Sequence, residues 1–225
     1  MSIGLFSHNS VGDSLTQYPK WEDTDTYQIR LSGISLETTL PGNYSQEFES
    51  ILPENKNLYD KSLYENWPSF ILMDLHWKYA ARKILWQETL GTLQALAVVH
   101  RSPEELKSQN AHSNEFKNII INNLRQSFEI EDGEVTANSG ISMPETYEPI
   151  DINNTSWLKY TVNGGTSNAD MLSYSTPLTS GHFITIMFRI VGHEGYDVKN
   201  WRNKCLDDIE RIMDSLKISH PEDNN

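Results

Sequence analysis

The sequence predicts an α+β fold, an antiparallel β-sheet covered by helices and ending in a long C-terminal helix. Three observations carry that prediction. Residues 182–191 (HFITIMFRIV) alternate, with Ile184, Ile186, Phe188 and Ile190 on one face and Phe183, Thr185, Met187 and Arg189 on the other, as in a strand with one apolar face. Beyond Gly192-His193-Glu194-Gly195 the period becomes helical, Trp201, Cys205, Ile209, Ile212, Met213 and Leu216 recurring at three and four residues. In the middle of the chain Ser102-Pro103-Glu104-Glu105 has the form of a capping box with proline at the first helical position, between two stretches of alternating residues. Strands, a middle helix, more strands and a last helix describe helices layered on an antiparallel sheet.

Taken in order, residues 1–25 are polar and broken by Gly, Ser, Asn and Asp, which predicts an irregular N-terminal arm. A single domain over 26–218 follows, with a polar tail at 219–225. Residues 27–31 and 35–40 are short strands ended by Pro41-Gly42. The acidic stretch 43–66, whose apolar residues include Phe48, Ile51 and Leu52, reads as a short helix or a surface excursion. Residues 69–79 (SFILMDLHWKY) form a long strand, with Ile71, Met73, Leu75, Trp77 and Tyr79 on one face and Phe70, Leu72, Asp74, His76 and Lys78 on the other. Residues 80–90 have helical propensity and connect to a strand at 92–101. One broken helix or two successive pieces are expected between 103 and 128, on Phe116, Ile119, Ile120 and Leu124. Residues 137–154 are loop or edge. Two short strands at 157–162 and 169–175, turned by Asn163-Gly164-Gly165, complete a meander with 182–191.

Composition narrows the function. A chain of 225 residues with six Trp and ten Tyr has the material for a sizeable core. Its 31 acidic side chains against 18 basic ones give a formal charge of -13, which argues against nucleic acid as a partner and favours a basic one. A lone cysteine, Cys205, leaves no intrachain disulfide and falls on the apolar side of the last helix. The N-terminal residues MSIGLFSHNSVGDSL carry no basic region followed by an apolar run, so a cytoplasmic protein with no membrane partner is expected.

No phosphate loop, dinucleotide fingerprint, nucleophile elbow or H-E-x-x-H motif occurs, and neither a catalytic set, a cofactor nor a metal is expected. Asp74 and His76, two apart on one strand, share a face on which a carboxylate could orient an imidazole, with His100 of the next strand as a third member. A polar strip on a sheet is the commoner meaning of such a pair. His193, Glu194 and Asp197 fit no defined metal spacing. Glu131, Asp132 and Glu134 make an acidic turn suited to docking Lys or Arg. Of the tryptophans, Trp67, Trp77, Trp86, Trp157 and Trp201 lie near apolar faces, and any that is exposed is a candidate contact anchor.

The end of the chain carries a resemblance. Tyr174-Ser175-Thr176-Pro177-Leu178, the strand at 182–191, Trp201, and Ile212-Met213-Asp214-Ser215-Leu216 before Lys217-Ile218 resemble the C-terminus of the PsbP-like (DcrB-like) fold, over about fifty residues. Residues 67–101 look like a segment of immunity proteins from bacterial toxin systems. The resemblance implies a scaffold without catalytic residues that binds a cognate secreted toxin or effector, as in type VI secretion, and blocks it by occlusion. The alternatives are a secretion adaptor that leaves its effector active, and a small hydrolase built on Asp74, His76 and His100. For the binding readings the expected contact residues are Asp74, His76, Glu131, Asp132 and Glu134.

Overall fold

Runs of alternating apolar residues pair into long hairpins, and these hairpins set the frame on which everything else is hung. The computed structural model describes residues 15–45, 55–82, 86–128, 141–164, 169–192 and 199–221. In chain order the elements are β1 (Leu15–Gln17), β2 (Thr24–Leu31), β3 (Ile34–Pro41), β4 (Asn55–Lys56), β5 (Ser69–Arg82), β6 (Gln87–Arg101), α1 (Asn114–Phe128), β7 (Ile141–Ser142), β8 (Tyr147–Ile152), β9 (Thr155–Gly164), β10 (Met171–Thr179), β11 (His182–Gly192), α2 (Lys199–Ser215) and β12 (Lys217–Ser219). The larger sheet runs β1-β5-β6-β11-β10-β9, with β7 and β8 both paired to the free edge of β9. A second sheet runs β12-β3-β2-β4, antiparallel except where β4 joins β2.

Both faces of the larger sheet are used. On the inner face Leu75, Trp77 and Tyr79 of β5, Leu93, Ala95 and Val99 of β6, and Ile184, Ile186 and Phe188 of β11 pack against Trp201, Cys205, Ile209 and Met213 of α2 and against Leu31, Leu36 and Leu40 of the second sheet. On the outer face α1 lays Phe116, Ile119 and Ile120 over Leu158, Tyr160, Val162 and Phe183. Each such large apolar side chain withdrawn from water contributes roughly 1.5–3 kcal/mol before the entropy of ordering it is counted.

The helix-covered α+β architecture with a long C-terminal helix is not what the chain adopts. Among the described residues strands dominate, in an eight-stranded and a four-stranded sheet, and two helices of 15 and 17 residues accompany them. The last helix stops for a local reason. Asn153, in the turn between β8 and β9 where it and Asn154 hold positive φ values of 50° and 63°, donates its side-chain amide to the carbonyls of Asp214 and Leu216 at 2.7 and 2.8 Å. Ser215 bonds Thr39 through both backbone groups, and the chain then turns into β12, which pairs with β3. The residues 214–218 that resembled a helix end thus divide between a helix terminus and a strand.

Other expectations are corrected for equally local reasons. The helix foreseen at Ser102-Pro103-Glu104-Glu105 does not form, because the backbone there is held by the turn between β10 and β11: Ser102 N donates to Gly181 O at 2.8 Å and Leu106 N to Ser180 O at 2.6 Å. The helix begins instead after Ser113, whose hydroxyl accepts from Phe116 N at 3.1 Å as an N-cap. Around residues 80–90 both strands extend toward each other, pairing as far as Arg82 and Gln87. The arm at 1–25 is not wholly irregular, since β1 pairs with β5 and β2 begins at Thr24. The edge expected within 137–154 is present as β7 and β8.

A bulge alters the faces of β5. The register shifts between Ile71 and Met73, so Leu72 is the extra residue and is fully buried, while Ile71 turns outward and is 46% exposed. Ile71 therefore joins Asp74, His76 and Lys78 on the outer face, whereas strict alternation had placed it in the core. No helix among the described residues is long and apolar enough to cross a membrane.

Candidate functional site

Register places the strip. Asp74 lies opposite Leu96 and His76 opposite Gln94 across the β5–β6 pair, and Met187 and Arg189 of β11 follow beside Leu96 and Gln94. The side chains close on one another: His76 Nε2 is 3.0 Å from Asp74 Oδ1, and Gln94 Nε2 donates to that same oxygen at 2.8 Å. Asp74 and His76 are partly exposed, their side chains retaining 25% and 21% accessibility. The strip is an ordered, partly wetted patch of one carboxylate, one imidazole and one amide, with Ile71, Leu96 and Met187 as its apolar members.

His100 does not join it. That residue lies opposite Ser69, six positions along β6 from Gln94, which at the rise of a strand is about 20 Å. Its ring stacks on Phe183 with centroids 4.7 Å apart, its Nδ1 is buried without a partner, and burial lowers its pKa to about 4. The set Asp74, His76 and His100 is thus not assembled as a catalytic constellation. Glu131, Asp132 and Glu134, like His193, Glu194 and Asp197, lie outside the described residues. Among the described residues no three His, Cys, Asp or Glu side chains gather in a manner suited to a metal ion.

The tryptophans divide. Trp77, Trp157 and Trp201 are core residues, while Trp67 and Trp86 are 74% and 60% exposed. Trp67 immediately precedes Pro68, whose carbonyl accepts from Arg101 N at 2.8 Å, so it stands at the end of the sheet from which Ile71 and the outer strip begin.

At that same end is a cleft of about 400 Å³. Its walls come from the segment between β4 and β5 (Leu58, Tyr59, Lys61, Tyr64), the end of β6 and its exit (Arg101 to Glu105), and the β10–β11 turn (Ser180, Gly181, His182). Asp60 begins a short 3-10 turn, Lys61–Tyr64, by accepting from Ser62 N at 2.9 Å, and that turn holds Tyr64 in place. The rings form a connected group: Tyr59 meets His182 edge-on at 5.5 Å, and Tyr64 lies 5.8 Å from His182 and 5.5 Å from Phe70. Thr179 Oγ1 lies 3.0 Å from His182 Nδ1, and burial together with the nearby Arg101 charge holds the imidazole below its ordinary pKa. Burial pushes the Tyr64 phenol up to about 12, so it is a hydroxyl donor, and no partner takes its proton. The sequence reading missed this cleft because its residues come from three separate turns. The one available signal was a pair of tyrosines in an otherwise polar excursion.

A second polar cluster serves the fold. Asp208 of α2, wholly buried, accepts from Trp21 Nε1 at 2.8 Å and Tyr79 OH at 2.7 Å, and Lys204 pairs with it one helical turn earlier. Arg211 lies over the Trp21 ring at 4.3 Å. The beginning of the described chain is thereby tied to the last helix. Beside it the Cys205 thiol, fully buried, is pushed up to about 12 by burial and is no nucleophile.

No protein-family model matches the chain and no curated protein matches it significantly.

Proposed function

We propose that the chain is a protein-binding inhibitor of the immunity type, which neutralises a secreted toxin by covering its working surface. The observation that carries this reading is the outer strip of β5. There the bulge at Leu72 turns Ile71 outward onto the same face as Asp74 and His76, and Trp67 stands exposed at the strand's beginning. Large apolar side chains on a rigid sheet, bordered by a fixed carboxylate and imidazole, have the make-up of an interface with anchors and a polar rim. The formal charge of -13 favours a basic partner and speeds the encounter with it. On this reading the protein works in the cytoplasm of the producing cell, and the expected acidic contributors Glu131, Asp132 and Glu134 extend the same complementarity.

The test is capture of the cognate protein by wild type and by Trp67→Ala, Ile71→Arg and Asp74→Lys variants whose unfolding midpoints are first shown to be normal. Each variant is expected to hold the partner at least about tenfold more weakly, a loss of about 1.4 kcal/mol. Inhibition of the bound toxin is the second readout, since a toxin that keeps its activity while bound identifies a secretion adaptor. Equal capture by all four proteins removes the strip from the interface.

A further inference from the structure

The outer strip leaves the cleft at the end of the sheet without a role. It has three features that a structural contact alone does not need. Tyr64 presents a buried hydroxyl that bonds to nothing, although a buried donor left unsatisfied costs stability. Arg101 lines the same space, yet it forms no ion pair with a described carboxylate. Tyr59, packed edge-on against His182, leaves 66% of its surface exposed, and so offers a fixed aromatic face beside the two donors.

We propose that this cleft binds a small planar ligand bearing a carboxylate or phosphate, the anionic group held by the Arg101 guanidinium and the Tyr64 hydroxyl and the flat body laid against Tyr59. A guanidinium presents paired donors that match either oxyanion, and a phenol adds a third. Lys61 adds positive charge to the lining, while Glu104 and Glu105, which also line the cleft, disfavour a bare anion with no ring to stack. The backbone frame is set before any ligand arrives: Arg101 N is bonded to Pro68 O at 2.8 Å, and Arg101 lies opposite His182 in the β6–β11 register. This inference is independent of the toxin-binding reading, and a chain that captures no protein can still bind the ligand.

The experiment is titration of the whole chain, followed by heteronuclear NMR, with phenyl phosphate, benzoate, inorganic phosphate and benzyl alcohol. One of the two ring-bearing anions is expected to bind saturably and at least about tenfold more tightly than inorganic phosphate or benzyl alcohol, and whichever it is separates phosphate from carboxylate as the anionic group. Arg101→Gln and Tyr64→Phe should each weaken that binding by about fivefold or more, while Lys78→Gln, at the other end of β5, leaves it unchanged. Arg101 is exposed, so its replacement is readable even if Tyr64→Phe disturbs the fold. Absence of saturable binding by both anions, binding that Arg101→Gln does not weaken, or equal binding of inorganic phosphate overturns the proposal.

Discussion

Asp208 joins distant parts of the molecule. Its two oxygens accept from Trp21, Tyr79 and Lys204, uniting residues up to 187 positions apart. In Asp208→Ala the buried Tyr79 hydroxyl and the Trp21 indole lose their acceptor together, and the unfolding free energy is expected to fall by about 3 kcal/mol in urea titration. A fall below about 1 kcal/mol would show that water replaces the carboxylate easily. Cys205 leads to a simpler expectation. Being buried with a raised pKa, it should stay unreacted with a thiol reagent in the native protein and react fully in denaturant. His100 sets a pH dependence. Its folded pKa, about 4, lies below the ordinary 6.5, so between those values the unfolded chain binds the proton and the folded one does not. Stability is therefore complete above about pH 6.5 and declines as pH falls toward 4, and His100→Gln should flatten that part of the profile of unfolding midpoint against pH. At this scale the sequence was informative only where a pattern existed. Cys205 followed from its helical spacing. Asp208 did not, because nothing near it in the chain announces partners so far away.

Elements meet closely where Trp201 of α2 crosses the sheet. Gly91 of β6 and Gly192 of β11 lie opposite each other, and a Cβ at Gly91 would collide with the Trp201 ring and lie 2.5 Å from the Val191 carbonyl oxygen. Gly91→Ala should cost about 1–3 kcal/mol through overpacking, read as a lowered urea midpoint with an unchanged slope. A neutral result would mean that α2 shifts freely on the sheet. The strand at 182–191 and the apolar side of α2 follow from their periods alone, and both formed as expected, with Ile184, Ile186, Phe188, Ile190, Trp201, Ile209 and Met213 all buried. What periodicity could not supply was competition from outside an element. The capping box at Ser102 lost to hydrogen bonds from the β10–β11 turn, and the run through Leu216 was ended by Asn153 and claimed by β3. A single extra residue, Leu72, moved Ile71 from the face of Met73, Leu75 and Trp77 to the surface and so added an exposed apolar member to the strip.

For the whole molecule, excess strand over helix follows from the same competition: edges left open by the long hairpins recruit the short segments β1, β7, β8 and β12, each too brief or too polar to stand out in the sequence. On the proposed reading this frame is a binding platform, its outer strip fixed by register, and the chain carries an acidic surplus of 31 acidic against 18 basic side chains. An electrostatically assisted complex of this kind weakens as salt rises, mainly through slower association. The most direct measurement is purification of the tagged chain from its native host, wild type and Asp74→Lys in parallel, at low and then high salt. The account predicts a stoichiometric basic protein that wild type retains at low salt, that high salt releases, and that Asp74→Lys fails to retain under either condition. No stoichiometric protein with wild type, or one held equally by Asp74→Lys at low salt, would contradict it.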